Sequence, residues 1–137
     1  DVLPEKKVRY LMGVGTPANL LESIARGVDM FDCVMPSRNA RNGTIFTQRG
    51  KVNLRNSKWK NHHTALEEDF PSDLCQRYHM SYVHHLFKSN ELFGMTLASE
   101  HNLQFYLWLM KEVRGHIKKG TYAAWYPNMV MQLESKI

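Results

Sequence analysis

The sequence predicts an α/β fold built on a parallel sheet, and three observations carry that prediction. Residues 8–14 and 28–35 are short, mostly apolar runs with no helical period, as buried strands are. Between them, Thr16-Pro17 followed by Leu20, Leu21 and Ile24 has the start signal and spacing of an amphipathic helix. Strand, helix and strand in that order form a βαβ unit, whose strands run parallel and whose ligands gather at the strands' carboxyl ends.

Each element has a local reason. Gly15 stops the first run, Thr16 can accept from the first-turn amides, and Pro17 fits the first helical position. Gly27 ends the helix as a left-handed cap, and Pro36 closes the second run. Residues 13–16 and 32–41 therefore fall at the carboxyl ends. Residues 43–55 are two short runs around Arg49-Gly50 and predict a hairpin. A loop rich in His and acids follows over 62–73. Tyr78, Tyr82, Val83, Leu86 and Phe87 recur at helical spacing, predicting one helix from Cys75 to Gly94. Ser99 is expected to cap a helix through Leu103, Tyr106, Leu107, Met110, Val113 and Ile117 to Gly120, and Tyr122 to Ile137 a last short helix broken near Pro127.

With 137 residues, 43% of them hydrophobic, the chain has the apolar content of one ordinary globular domain rather than a disordered tail. Its apolar runs fall far short of the roughly 20 residues of a membrane span, and no signal-peptide pattern opens it, so a cytoplasmic protein is expected. Cys33 and Cys75 sit in unlike segments, which argues against a disulfide framework. The opening Asp1-Val2-Leu3-Pro4, without an initiator Met, reads as a connector in a fragment. The net charge of +5 is concentrated: Arg38, Arg41, Arg49, Lys51, Arg55, Lys58 and Lys60 occur between 38 and 60 without one Asp or Glu. A solvated face is the plain reading of such a run. The interleaved Phe46, Val52, Leu54 and Trp59 argue that the segment is folded, and a polyanion is the partner that charge of this kind fits.

Asp32 is a carboxylate planted in an apolar strand between Phe31 and Cys33, where an unpaired charge is costly. Two readings stand: an ion pair with Arg38 or Arg41, or a functional carboxylate at a strand's carboxyl end.

The segments Arg9-Tyr10-Leu11-Met12-Gly13-Val14-Gly15-Thr16-Pro17 and Gly27-Val28-Asp29-Met30-Phe31-Asp32-Cys33-Val34-Met35-Pro36-Ser37-Arg38-Asn39-Ala40-Arg41-Asn42-Gly43 resemble signatures of the bacterial tRNA-guanine transglycosylases. The likeness continues through Asn53-Leu54-Arg55-Asn56, His84-His85-Leu86 and Glu100-His101-Asn102-Leu103. It implies the C-terminal portion of a TIM (β/α)8 barrel: 1–36 as its last βαβ unit, 37–94 as an inserted hairpin and helix subdomain, and 95–137 as helices closing the barrel. A full barrel needs about 250 residues, so this stretch alone cannot close one and is expected to lack exchange activity.

The resemblance also implies an activity, exchange of the wobble guanine of a tRNA anticodon for a 7-deazaguanine base, with Asp32 as the nucleophile that attacks the ribose C1′. Such an exchange follows the retaining logic of two successive inversions through a covalent glycosyl intermediate. Tyr10, Met12 and Gly13 match positions lining the base pocket; read alone, Tyr10 and Met12 are ordinary strand core. Gly13, Val14, Gly15, Thr16, Pro17, Ala18 and Asn19 match a tRNA-contacting turn at a helix N-terminus. Ser37, Arg38, Asn39, Ala40 and Arg41 match an anticodon-reading segment whose guanidinium forks suit uracil carbonyls and phosphates. The implied partners are a tRNA anticodon loop, guanine or a 7-deazaguanine base, and a second copy in a homodimer. The alternative is a non-catalytic tRNA-binding or accessory member of the same family.

One departure is plain. The family's structural zinc has four ligands, and the matching positions here are Phe70, Ser72, Cys75 and His101, so two ligands are replaced. His62, His63, Asp69, Asp73 and His79 repeat no zinc spacing, which also weakens a zinc-finger reading. No cofactor is expected, with packing around Phe70 doing the work of the metal. Adjacent helical residues point about 100° apart, so His84 and His85 are expected to pack or cap rather than share a site.

Overall fold

A computed structural model describes residues 4–137, so that Asp1, Val2 and Leu3 of the opening connector lie outside the described residues. The architecture is α/β, with a small parallel sheet at one end and helices packed on a hairpin at the other. Strands β1 (Tyr10–Met12) and β2 (Met30–Asp32) pair in parallel, with Tyr10 opposite Met30 and Met12 opposite Asp32. Helix α1 (Pro17–Ala25) makes the crossover. Its Thr16 side chain accepts from Asn19 N at 3.3 Å, Pro17 opens the helix, and Gly27 follows its end at φ +90°, all as the sequence indicates.

Both strands are shorter than the apolar runs suggest. Val34 begins a helix instead of extending β2, and α2 (Met35–Arg41) carries Pro36 in its first turn. Proline lacks the amide that the first turn leaves unpaired anyway, so it starts this helix rather than merely closing a strand. Strands β3 (Thr44–Thr47) and β4 (Gly50–Asn53) form the expected antiparallel hairpin, with the turn at Gln48-Arg49.

The helix expected from Cys75 to Gly94 is three pieces: α3 (Asp73–Arg77), α4 (Met80–Lys88) and the start of α5 (Leu92–Lys118). Tyr78 and His79 are extended because the chain there bridges to the preceding loop. His79 pairs with Ala65, Tyr78 O accepts from Leu66 N at 3.1 Å, and Met80 N donates to Thr64 O at 3.0 Å. These bonds satisfy backbone groups that a continuous helix would have paired internally. Ser99 lies inside α5 and caps nothing; Gly94 sits in its first turn, where a Cβ would come within 2.9 Å of Leu86. Helix α6 (Tyr122–Glu134) passes through Pro127 unbroken.

Helix α5 buries Gly94, Leu97, Ala98, His101, Asn102, Phe105, Leu109 and Val113, a stripe at three- and four-residue spacing. The stripe packs on the hairpin's Ile45, Phe46, Val52 and Leu54, on Val83, Leu86 and Phe87 of α4, and on Leu20 and Leu21 of α1. The core thus lies between α5 and the hairpin. The parallel pair stands at its margin. Among the described residues, no helix is long and apolar enough to cross a membrane.

Candidate active site

Alternation along the two parallel strands sorts their side chains. Leu11 and Phe31 turn towards the helices and are half-buried, whereas Tyr10, Met12, Met30 and Asp32 share the opposite face. That face is open: Tyr10 is 50% exposed and Met12 is 74% exposed. Neither is core among the described residues, contrary to the plain reading of an aromatic and a Met in a strand. Asp32 is exposed as well, so it carries none of the burial cost that its apolar neighbours suggest.

Asp32 has no arginine partner among the described residues. Its Oδ1 accepts from the Tyr10 hydroxyl and, at 3.4 Å, from Gly13 N, while Gly13 N also approaches the Asp32 backbone oxygen at 3.2 Å. The Tyr10 phenol is held above its usual pKa, first by donating to this carboxylate. Both bonds fall on Oδ1, which leaves Oδ2 free among the described residues. A carboxylate fixed through one oxygen and open at the other is arranged to attack an electrophile lying over the strand ends. No sequence pattern announces the Tyr10–Asp32 bond; it follows from parallel register, which sets residue 10 beside residue 30 and brings a tyrosine's reach to residue 32.

The turn between β1 and α1 is held close. Gly15 is buried, and a Cβ there would fall 2.0 Å from Cys33 Sγ, so only glycine permits this approach of the turn to the end of β2. Gly15 O also accepts from the Tyr106 hydroxyl of α5, whose pKa burial drives upward. Tyr106 thus ties the turn to α5, a contact that its place in the helical spacing does not reveal. Of the turn, Gly13 and Asn19 are exposed, Val14 and Thr16 are half-buried, and Pro17 and Ala18 are buried.

Helix α2 follows Asp32 after two residues. Arg38 and Arg41 are exposed in its last turn and lie three residues apart, on one face. Ala40 is fully buried. Ser37 Oγ donates to Val34 O at 3.3 Å and Asn39 Nδ2 to Met35 O at 3.0 Å, so these two stabilise the helix from within. Asn102 of α5 anchors the helix, because its Nδ2 donates to Pro36 O at 2.9 Å and to Thr44 O at 3.1 Å while its Oδ1 accepts from Phe46 N at 2.9 Å. The sequence motif named Asn102 without revealing this role.

The positions that match zinc ligands lie close together, but Phe70 brings no ligand atom and Ser72 brings a hydroxyl in place of a thiolate. Phe70 is buried at 3% exposure and packs on the His101 ring with centroids 5.6 Å apart, and on Phe105 and Trp108. Ser72 Oγ donates to Gln104 Oε1. Cys75 Sγ lies 3.2 Å from His101 Nδ1, and His101 Nε2 donates to Phe46 O at 2.9 Å. That bond fixes the tautomer: Nε2 carries the hydrogen, Nδ1 accepts, and the thiol donates. Burial pushes the Cys75 thiol up to about 11 and the His101 imidazole down to about 4, so both are neutral at pH 7. Glu67 Oε2 is buried without a partner 3.5 Å from His101 Nε2, and burial raises this carboxyl to about 7. Glu67 and Cys75 address opposite edges of the imidazole and cannot share one ion. Among the described residues no three His, Cys, Asp or Glu side chains gather to hold a metal, so the side chains present do not fit a four-ligand zinc.

Fold and site together define a class: an α/β protein with a half-tethered carboxylate at the carboxyl end of parallel strands, flanked by a cationic helix. The sequence model of the family described as queuine tRNA-ribosyltransferase matches residues 1–135. Curated relatives bearing that name include one from Helicobacter pylori (strain ATCC 700392 / 26695), 47% identical over 135 residues, covering 98% of this chain and 36% of the relative. One from Helicobacter acinonychis (strain Sheeba) is 54% identical over 116 residues, covering 85% of this chain and 31% of its own length. One from Lachnospira eligens is 47% identical over 133 residues, with 97% and 35% covered. The chain belongs to the queuine tRNA-ribosyltransferase family, and it spans about a third of the length of these relatives.

Proposed function

We propose that this chain is the C-terminal portion of a TIM barrel enzyme that exchanges the wobble guanine of a tRNA anticodon for a 7-deazaguanine base. Asp32 is the nucleophile: Oδ2 attacks the ribose C1′, the C1′–N9 bond breaks, guanine leaves with the electron pair and takes up a proton, and the incoming deazaguanine reverses the step. The observation that carries this reading is the free Oδ2 on an open face, with Oδ1 already held by Tyr10 and Gly13. Tyr10, Met12 and Gly13 offer flat and soft surfaces against an extruded purine, and their exposure supports that role.

The anticodon loop is read by Arg38 and Arg41, with the turn from Gly13 to Asn19 closing on the strand from the other side. The exposed Tyr82 and Phe93, both packed on Tyr78, support a second copy as the partner of the inserted subdomain. The test is incorporation of labelled guanine into tRNA by the longest polypeptide that carries this chain; no incorporation refutes the reading. Replacing both arginines, Arg38→Ala with Arg41→Ala, is expected to raise KM for tRNA by about tenfold or more, since each guanidinium contact contributes about 1–3 kcal/mol. An unchanged KM removes them from recognition.

The inserted subdomain is proposed to stand without zinc, its ligand positions taken by Phe70 packing and by the Cys75–His101–Phe46 chain of hydrogen bonds. Metal analysis of the purified protein is expected to find less than one zinc per chain, and a chelator to leave its melting temperature unchanged. One tightly held equivalent contradicts this.

A further inference from the structure

Away from the strand ends, the inserted subdomain carries a cleft lined by polar side chains. Ser57, Lys60 and Asn61 form one wall, and Ser81, His84 and Lys88 of α4 the other, enclosing about 470 Å³. A water takes about 30 Å³, so the cleft admits a group the size of a sugar phosphate. The spacing 81, 84, 88 keeps these side chains on one face of α4, and His85 borders the same cleft. The cleft lining contains no carboxylate. Among the described residues no carboxylate lies within 4.0 Å of Lys60 or Lys88 either.

His84 sets what the cleft can take. It is only 5% exposed, and its Nδ1 lies 2.7 Å from Leu54 O, so Nδ1 carries the hydrogen. In the neutral ring Nε2 is then an acceptor, and it has no protein partner among the described residues. A bare anion meets a lone pair there, whereas a hydroxyl can donate to it. The two ammonium groups ask for an anion, so the matching ligand carries both features on neighbouring atoms. RNA does, through its phosphodiester and its 2′-hydroxyl.

Arg55 connects the helix that walls the cleft to the loop that follows α2. Arg55 packs against Gly43, two residues after Arg41, and donates to Phe87 O at 3.1 Å with its guanidinium 5.4 Å from the Phe87 ring. Lys88 is next in the chain. Arg55 thus ties the loop after α2 to the end of α4 that bears Lys88. A charge run alone usually marks only a solvated face; the unpartnered Nε2 of the largely buried His84 and the unpaired lysines are what make this one a site.

We propose that this cleft seats a ribose-phosphate unit of the tRNA backbone, with phosphodiester oxygens on Lys60 and Lys88 and a 2′-hydroxyl donating to His84 Nε2. The inference rests on the tRNA reading above and adds a contact outside the anticodon-reading helix.

Binding of a labelled anticodon stem-loop to the full-length protein, measured by fluorescence anisotropy across a salt series, tests it. Lys60→Ala with Lys88→Ala is expected to weaken binding about tenfold and to lower the slope of log K against log salt by about 1 to 2, as loss of one or two phosphate contacts does. His84→Asn keeps a donor for Leu54 O and deletes Nε2; the preference for RNA over the same stem-loop in deoxy form is expected to shrink about threefold, with the melting temperature confirming the fold. Wild-type affinity and slope in the lysine variant overturn the proposal, and an unchanged RNA preference in His84→Asn overturns the hydroxyl contact. Inorganic phosphate that raises the melting temperature of the unaltered protein but not of the lysine variant, with RNA binding equal in both, assigns the cleft to a free anion and also overturns it. No affinity of the unaltered protein for any stem-loop refutes the tRNA reading itself, and this inference with it.

Discussion

Asp32→Asn in the full-length protein is expected to lower kcat for base exchange by on the order of 10⁴-fold or more, the scale on which loss of a covalent nucleophile acts, while tRNA affinity stays within about threefold. The substitution is nearly isosteric. Asparagine Oδ1 can still accept from the Tyr10 hydroxyl and from Gly13 N, so the geometry that holds the side chain survives. What changes is the other terminal atom: an amide nitrogen stands where the free Oδ2 stood, and its lone pair is delocalised into the carbonyl and does not attack C1′. Because Asp32 is exposed and unpaired with any arginine among the described residues, its removal leaves no orphaned cation and costs the fold little. Two readouts separate the readings. Exchange measures turnover, and a denaturing gel of protein incubated with tRNA measures the covalent adduct, which is expected to vanish. Unchanged exchange would retire the nucleophile and favour an accessory or tRNA-binding role.

The βαβ unit was legible because its signals are local: an apolar run, Thr16-Pro17 at a helix start and Gly27 at its end each specify backbone geometry within a few residues. The hairpin was legible for the same reason. Helix α2 was not, because Pro36 marks the end of an apolar run and the first turn of a helix equally well, and the sequence offers nothing to choose between them. The break at Tyr78-His79 was hidden more deeply. Its cause is a bridge to Ala65 in a loop with no periodicity, so a continuous helical spacing of apolar residues persists across a chain that is not helical there. The site divides along the same line. The carboxylate stood out by its apolar neighbours, but among the described residues the face of β2 that bears it is open rather than buried. Its real partner, Tyr10, depends on parallel register, and Tyr106 and Asn102 act on the site from positions about 90 and 70 residues away along the chain. Pairings of that separation leave no mark in a local pattern.

Asn102→Leu is expected to have the largest effect on stability of any single change near the site, because Asn102 is fully buried and serves three backbone groups at once. Leucine is close in size, so the change opens little cavity. It leaves Phe46 N without an acceptor and Thr44 O without a donor, and it strips Pro36 O of the bond it accepts beside its helical one, inside a core with no solvent to replace them. Each orphaned group costs about 1–3 kcal/mol, which gives a loss of about 3 kcal/mol or more. At about 2–4 °C per kcal/mol, the scale for about 150–250 residues, the melting temperature is expected to fall by about 6 °C or more. Asn102→Asp is expected to be no milder, since it keeps the acceptor for Phe46 N but turns an oxygen towards two carbonyl oxygens. The damage also has a direction. Pro36 lies in the first turn of α2 and Thr44 just beyond its end, so release of their carbonyls loosens the helix that presents Arg38 and Arg41, and KM for tRNA is expected to rise more than kcat falls. Thermal denaturation followed by circular dichroism reads the first effect and steady-state exchange reads the second. A variant that melts with the wild type would mean that α2 is held by Ala40 and its packing on α5 rather than by this hydrogen-bond node.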